Sequence, residues 1–238
     1  ETEGMEMKDT TNTSRLGIFI MMKYPQVGRV KARLAKSIGD ESATNLYRMF
    51  IRDTLTTVQI LDIPYYIAVY PPESQKQVEK WLGPSYHVFQ QQGMDIGERL
   101  QSGFTTMFEK GYQQVIALAS DSPDLPIEIL RDAVSALQTH KAVIGPASDG
   151  GYYLIGFSQE PSILEAFEDI SWSTETVFRE TLSKIKSVTQ NIHILPEWID
   201  IDTKSDLQKF YAKHRLQNSY DSHTMNYLRS RPELLLDN

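Results

Sequence analysis

Five cations crowd into fourteen positions of this chain: Lys23, Arg29, Lys31, Arg33 and Lys36, most of them in the run Lys23-Tyr-Pro-Gln-Val-Gly28-Arg29-Val-Lys31-Ala-Arg33-Leu34. The chain as a whole carries a formal net charge of -7, so a local excess of this size needs a reason. Arginine offers a planar fork and lysine a point charge, and both hold phosphate oxygens through charge-assisted hydrogen bonds. Gly28 lets the backbone come close to a ligand because no Cβ stands in the way. The guest that suits such a loop is an oligophosphate, with Lys23, Gly28, Arg29, Lys31 and Arg33 as its candidate contacts. The plain alternative is a solvated basic loop ahead of a helix. The apolar stretch just before it, residues 16–22, favours a ligand, because open α/β sheets bind ligands beyond the carboxyl ends of their strands.

Carboxylates supply the second half of the chemistry. Asp121 follows the apolar stretch 115–120, and Pro123 and Pro126 delay the next helix, so its carboxylate should project from the strand's carboxyl edge. Ser120 closes that strand and is placed with the nucleotide. Asp124 is expected to cap a helix over residues 127–140. Asp200 and Asp202 alternate with isoleucines, so on an extended segment they share one side, where they repel unless a cation or base lies between them. A hard divalent cation bridging phosphate oxygens takes ligands of this kind. Asp121 with Asp200 or Asp202 is therefore the expected site for Mg²⁺ or Mn²⁺. Asp149-Gly150-Gly151, between two apolar stretches, reads by itself as an ordinary turn.

These groups need elements to carry them. The stretch 16–22 has no polar side chain and suits a strand covered on both faces. Asp40 can cap a helix whose Ala43, Leu46, Tyr47, Phe50, Thr54, Val58 and Leu61 fall at helical spacing. Strands are expected at 65–70, 87–89, 115–120, 142–145, 152–157 and 192–195. Helices are expected at 74–82, from Asp95 to about 110, from Ser173 or Thr174 to about 186, and from Thr203 or Ser205 to about 217. This alternation implies a mostly parallel sheet with helices on both sides. Gly97, in a first helical turn, is either a loose helix start or a place of close ligand approach. Trp172 is either a core anchor or a stacking wall.

The basic run resembles the opening loop of a bacterial family of nucleotide-diphospho-sugar-transferase-like proteins, long catalogued as a domain of unknown function. Its members are often labelled radical-SAM-associated or arsenosugar-type glycosyltransferases. The loop is also similar to that of nucleotidyltransferases such as the phospholactate guanylyltransferases. Thr usually stands in the family where this chain has Ala32, which removes one hydroxyl. Further matching runs are Asp95-Ile-Gly97-Glu-Arg99, Gly145-Pro-Ala-Ser-Asp149-Gly-Gly-Tyr-Tyr-Leu-Ile-Gly156 and Trp172-Ser-Thr174. The resemblance covers about residues 15–212. It implies a GT-A, nucleotide-diphospho-sugar-transferase fold, a nucleotide contact at Gly97, and a donor or acceptor pocket lined by Asp149, Gly150, Gly151 and Trp172. Asp149 is then the candidate base and Lys31 the candidate cation at the leaving phosphate.

Composition excludes several alternatives. There is no cysteine, so thiolate chemistry and disulfides are out, and the five histidines are too scattered for a zinc site. No Gly-x-Ser-x-Gly elbow and no GxxxxGK[ST] loop is present. A pI near 5.3 speaks against general nucleic-acid binding, and no apolar run is long enough to span a bilayer, which makes the cytoplasm the default expectation. The expected organisation is a disordered arm over 1–14, one three-layer α/β/α sandwich over 15–217, and a tail over 218–238 that is either docked or a homodimer contact. The expected partners are a nucleotide or nucleotide sugar and a small acceptor. Glycosyl transfer leads, with nucleotidyl transfer and non-catalytic nucleotide binding as alternatives.

Overall fold

The computed structural model describes residues 15–160, 162–217 and 221–236. The expected arm over 1–14 lies outside the described residues. Seven strands form one mixed sheet: β1 (Leu16–Lys23), β2 (Tyr65–Tyr70), β3 (Val88–Gln90), β4 (Gln114–Ala119), β5 (Ala142–Pro146), β6 (Tyr152–Ser158) and β7 (Ile192–Ile194). Their order is β3-β2-β1-β4-β6-β5-β7. β6 runs antiparallel to both its neighbours, β4 and β5, while all other pairings are parallel.

Helices cover both faces because alternate strand residues point to opposite sides. Ile18, Ile20 and Met22 of β1 meet α2 (Asp40–Gln59), α5 (Ile127–Ala136) and α7 (Lys204–His214) in one core. Phe19 points the other way, to Phe104 of α4 (Ile96–Glu109) and Ile185 of α6 (Val177–Val188). The α2 residues picked out by spacing are buried as expected from Ala43 through Val58, with Leu61 packed on the rim. The remaining helices are α1 (Ala32–Ile38), α3 (Gln75–Leu82) and α8 (His223–Ser230). This is a three-layer α/β/α sandwich around a mostly parallel sheet. Among the described residues, no helix is long and apolar enough to cross a membrane.

Four local expectations need correction. Asp40 does not cap α2: it is the first helical residue, behind Gly39, and makes no side-chain cap. The basic run is not all loop: α1 starts at Ala32, so Arg33 and Lys36 stand on a helix. Asp124 does not cap α5, which begins behind Pro126 without a side-chain cap; the carboxylate is drawn instead to cationic and indole N–H donors on later elements. Neither Ser173 nor Thr174 caps α6, which starts two residues later behind Thr176, while the Thr174 hydroxyl bonds Ser171 O. Two caps fall where the sequence puts them. Asp95 accepts from the Glu98 amide at 2.8 Å, and Thr203 forms a capping box with Asp206.

The closing segment packs on the body of the protein. Met225, Leu228 and Leu234 join the core, and α8 lies against α2. Asp53 of α2 accepts the His223 and Thr224 amides at 2.7 and 2.9 Å, which satisfies the start of α8.

Candidate active site

The site lies on the carboxyl edge of the sheet, where β1, β2 and β4 end and antiparallel β6 begins. After β1 the chain makes a turn, with Arg29 N donating to Gln26 O at 3.0 Å and Gly28 at φ +75. A Cβ at Gly28 would meet nothing closer than 3.8 Å, so the glycine serves the left-handed backbone and does not relieve crowding. Buried Val30 pins the loop to the core. Lys31 then adopts φ 50, rare for a residue with a side chain, and from there its side chain turns inward.

Inside, the Lys31 ammonium meets two carboxylates. Its Nζ lies 2.5 Å from Asp121 Oδ1 and 3.0 Å from Asp202 Oδ1, with the side chain only 4% exposed. The rings of Phe50 and Tyr47 lie 5.6 and 5.8 Å from the nitrogen. Burial alone would lower the lysine pKa, but the charges and hydrogen bonds of Asp121 and Asp202 override it and raise the pKa well above the usual value. Arg33 also reaches Asp202, through its Nη2 and Asp202 Oδ2. Burial would raise the pKa of Asp202, yet the two cations hold it below the usual carboxylate range.

Asp149, Asp200 and Asp202 form an acidic cluster in which one oxygen from each lies within 4.8 Å of the others. Asp200 is pushed up to about 6 by burial and by the negative charges of Asp149, Asp202 and Asp121. Three hard oxygen donors under mutual repulsion suit a divalent cation such as Mg²⁺ or Mn²⁺. The sequence grouped Asp121 with Asp200 or Asp202; in the structure Asp200 and Asp202 cluster with Asp149, while Asp121 pairs with Lys31.

Three loops carry these carboxylates, and Trp198 ties them together. Its backbone N donates to Pro146 O at 3.0 Å and its O accepts from Ser148 N at 3.0 Å, next to Asp149. Its indole N–H donates to Asp124 Oδ1 at 3.0 Å. Asp124 Oδ2 meets Lys213 Nζ and His214 Nε2, both at 2.8 Å. Ile201 N donates to Asp121 O at 3.0 Å and completes the frame.

A cavity of about 380 Å³ opens beside these groups. Lys23, Lys31, Arg33, Asp121 and Asp202 line its charged end, and Met21, Leu100, Leu154 and Ile155 its apolar part. Tyr47, Tyr70, Gln91, Arg99 and Tyr152 also face it, none of them a site candidate from sequence. Arg99 and Tyr152 lie in the matching runs 95–99 and 145–156, and spacing places Tyr47 only on the buried face of α2.

Other sequence candidates sit differently. Arg29 is exposed at the loop surface and, like Gly28, Asp149 and Trp172, is not part of the cavity wall. Ser120 is buried; its hydroxyl donates to Met21 O at 3.1 Å and lies 3.0 Å from Tyr47 Oη, which joins β4 to β1 and α2. A Cβ on Gly97 would come within 2.7 Å of Phe167 O and 2.8 Å of the Trp172 ring, so packing accounts for this glycine. Gly150, at φ +91, lies against the Glu175 backbone, where a Cβ would meet Glu175 O at 2.2 Å. Asp149 Oδ1 accepts from Gly151 N at 2.9 Å and shapes the turn.

Residues 54–174, which include Asp121 and Asp149, match the family described as "Uncharacterized protein conserved in bacteria (DUF2064)". A crystal structure from Desulfovibrio desulfuricans G20, provisionally named a nucleotide-diphospho-sugar transferase, is 35% identical over 93% of this chain and 97% of that one, with a TM-score of 0.88. The chain belongs to the DUF2064 family. More distant structures share the fold with this DUF2064 protein. The 4-diphosphocytidyl-2C-methyl-D-erythritol synthase of Anaerococcus prevotii is 12% identical over 86% of this chain and 99% of that one, with a TM-score of 0.55. A cytidylyltransferase from Leptospira borgpetersenii is 14% identical over 94% and 98%, with a TM-score of 0.51. No curated protein matches the chain.

Proposed function

We propose that this protein transfers a glycosyl group from a nucleoside-diphosphate sugar to a small acceptor, with the help of Mg²⁺ or Mn²⁺. The pairing of Lys31 with Asp121 and Asp202, joined by Arg33 on Asp202, is the observation that carries this choice. Five neighbouring cations in one run would suit a triphosphate. With two of them engaged by carboxylates, Lys23, Arg29 and Lys36 are left, a smaller charge that fits a diphosphate. The relative from Desulfovibrio desulfuricans, named for nucleotide-diphospho-sugar transfer, supports the same reading.

In this reading Lys23 and Arg29 bind the diphosphate, and Lys31 holds Asp121 and Asp202 at the cavity wall. Asp200 and Asp202 would hold the cation, which when bound would offset charge on the departing diphosphate. Asp149 is exposed and is the candidate to take the proton of an acceptor hydroxyl. The chain's own contribution is positioning and electrostatic stabilisation, and no covalent enzyme intermediate is needed.

The test is a competition experiment. A nucleoside diphosphate should displace a nucleotide sugar in the presence of Mn²⁺, labelled pyrophosphate should not exchange into any nucleoside triphosphate, and Asp149→Asn should lower transfer far more than donor binding. Metal-dependent pyrophosphate exchange would overturn glycosyl transfer in favour of nucleotidyl transfer.

A further inference from the structure

Gln91 follows β3 at the wall of the cavity and is only 4% exposed. Its Nε2 donates to Ala68 O at 2.7 Å and to Met22 O at 3.2 Å, near the carboxyl ends of β2 and β1. Both amide hydrogens are thereby used, and this fixes which way round the amide stands. Oε1 must point away from those carbonyls. Among the described residues no donor reaches this oxygen, and it is not one of the sealed, unpartnered buried atoms, so it opens on the cavity. An amide held in this way accepts a hydrogen bond from whatever lies there and offers none.

Arg99 supplies the complementary group on the same cavity. Its guanidinium lies 3.6 Å from the centre of the Tyr70 ring, held by bonds from Nε to Gly93 O at 3.1 Å and from Nη2 to Met94 O at 3.0 Å. A fixed cation favours a carbonyl oxygen. A fixed acceptor and a fixed cation on one cavity therefore suit a ring that presents an N–H directly next to a C=O. Uracil, thymine and guanine have such an edge. Adenine has no carbonyl, and in cytosine a ring nitrogen separates the amino group from the carbonyl.

We infer that Gln91 and Arg99 form the base-reading end of the cavity and select a donor nucleotide carrying uracil, thymine or guanine. The inference rests on the nucleotide-sugar reading above. It assigns the cavity's charged end, at Lys23, to the phosphates.

Calorimetry with Mn²⁺ present tests it from the ligand side, without altering the protein. UDP or GDP should bind about tenfold or more tightly than its analogue methylated on the ring N–H, 3-methyl-UDP or 1-methyl-GDP, because the methyl group leaves a buried acceptor unpaired. ADP and CDP should bind as weakly as the methylated forms. In Gln91→Met, which keeps the side-chain length and loses the amide, the preference should fall to about one. Equal binding of parent and methylated nucleotide, or ADP or CDP binding as tightly as UDP and GDP, would sink the inference and leave the donor reading standing. A folded Gln91→Met protein that keeps the full preference would also sink it. If no nucleoside diphosphate binds at all, the donor reading fails and the inference fails with it.

Discussion

Lys31 and Asp202 stand 171 residues apart in the chain, yet Nζ and Oδ1 are 3.0 Å apart. The bond joins the first loop of the sheet to the last segment before α7, with Asp121, from the middle of the chain, on the other side of the same nitrogen. One buried cation thus holds three distant stretches in register.

Replacing that cation should be costly. In Lys31→Met the carboxylates of Asp121, Asp200 and Asp202 would face one another with Arg33 alone left on Asp202, and we expect a loss of roughly 1–3 kcal/mol, below the usual figure for a broken buried pair because the acids keep some solvent. Urea denaturation measures it. Adding Asp121→Asn to Lys31→Met should recover part of the loss; an unchanged midpoint in the single variant would show that the ammonium is not what neutralises the cluster.

Arg29 is exposed on the loop, and its charge is free for a ligand. We expect Arg29→Ala to weaken nucleotide binding by roughly 1–3 kcal/mol, whereas Lys76→Ala, exposed on α3 away from the cavity, should change it little. Equal effects at the two positions would return the loop to a merely solvated basic run.

Asp124 should leave a mark on the acid side of the stability curve. Burial alone would raise its pKa, but hydrogen bonds from Lys213, His214 and Trp198 outweigh burial and hold it below the usual carboxylate range. A depressed carboxylate contributes its stability above the unfolded value of about 3.9 and loses it as pH falls through the lower folded value. Asp124→Asn should therefore destabilise the protein near neutral pH by roughly 1–3 kcal/mol, with the gap to wild type closing below about pH 4. A gap that stays constant with pH would mean that the carboxylate charge is not the stabilising feature.

Gly97→Ala tests packing against ligand approach. The new methyl would press on Phe167 O and the Trp172 ring, and we expect roughly 1–3 kcal/mol of destabilisation with a shift in tryptophan fluorescence. A stable variant with a normal spectrum and weakened nucleotide binding would restore the contact role.

Much of the frame was legible because it depends on local rules. Pro64 and Pro71 bound the apolar run of β2 at 65–70, and Asp95 and Thr203 announce their helices by hydrogen-bonding their own amides. Lys31 was not legible in the same way. In a run of five cations nothing local distinguishes the one that turns inward, since its partners arrive from residues 121 and 202. Asp124 was misread for the related reason that a carboxylate three residues ahead of a helix looks like a cap unless Trp198 and His214 are already in view. Gln91 lay hidden in a run of glutamines, where only the nearby ends of β1 and β2 show which amide is pinned.

The reversed direction of β6 fixes the reach of the turn that precedes it. The turn bearing Asp149 is stretched between two neighbouring strands, and β5 already spends its one register shift at Gly145 and Pro146. Adding or deleting a single residue between 142 and 158 would exchange inward and outward side chains along a whole strand or swing the carboxylate off its neighbours. The span between β5 and β6 therefore acts as a ruler that sets where Asp149 stands relative to Asp200 and Asp202.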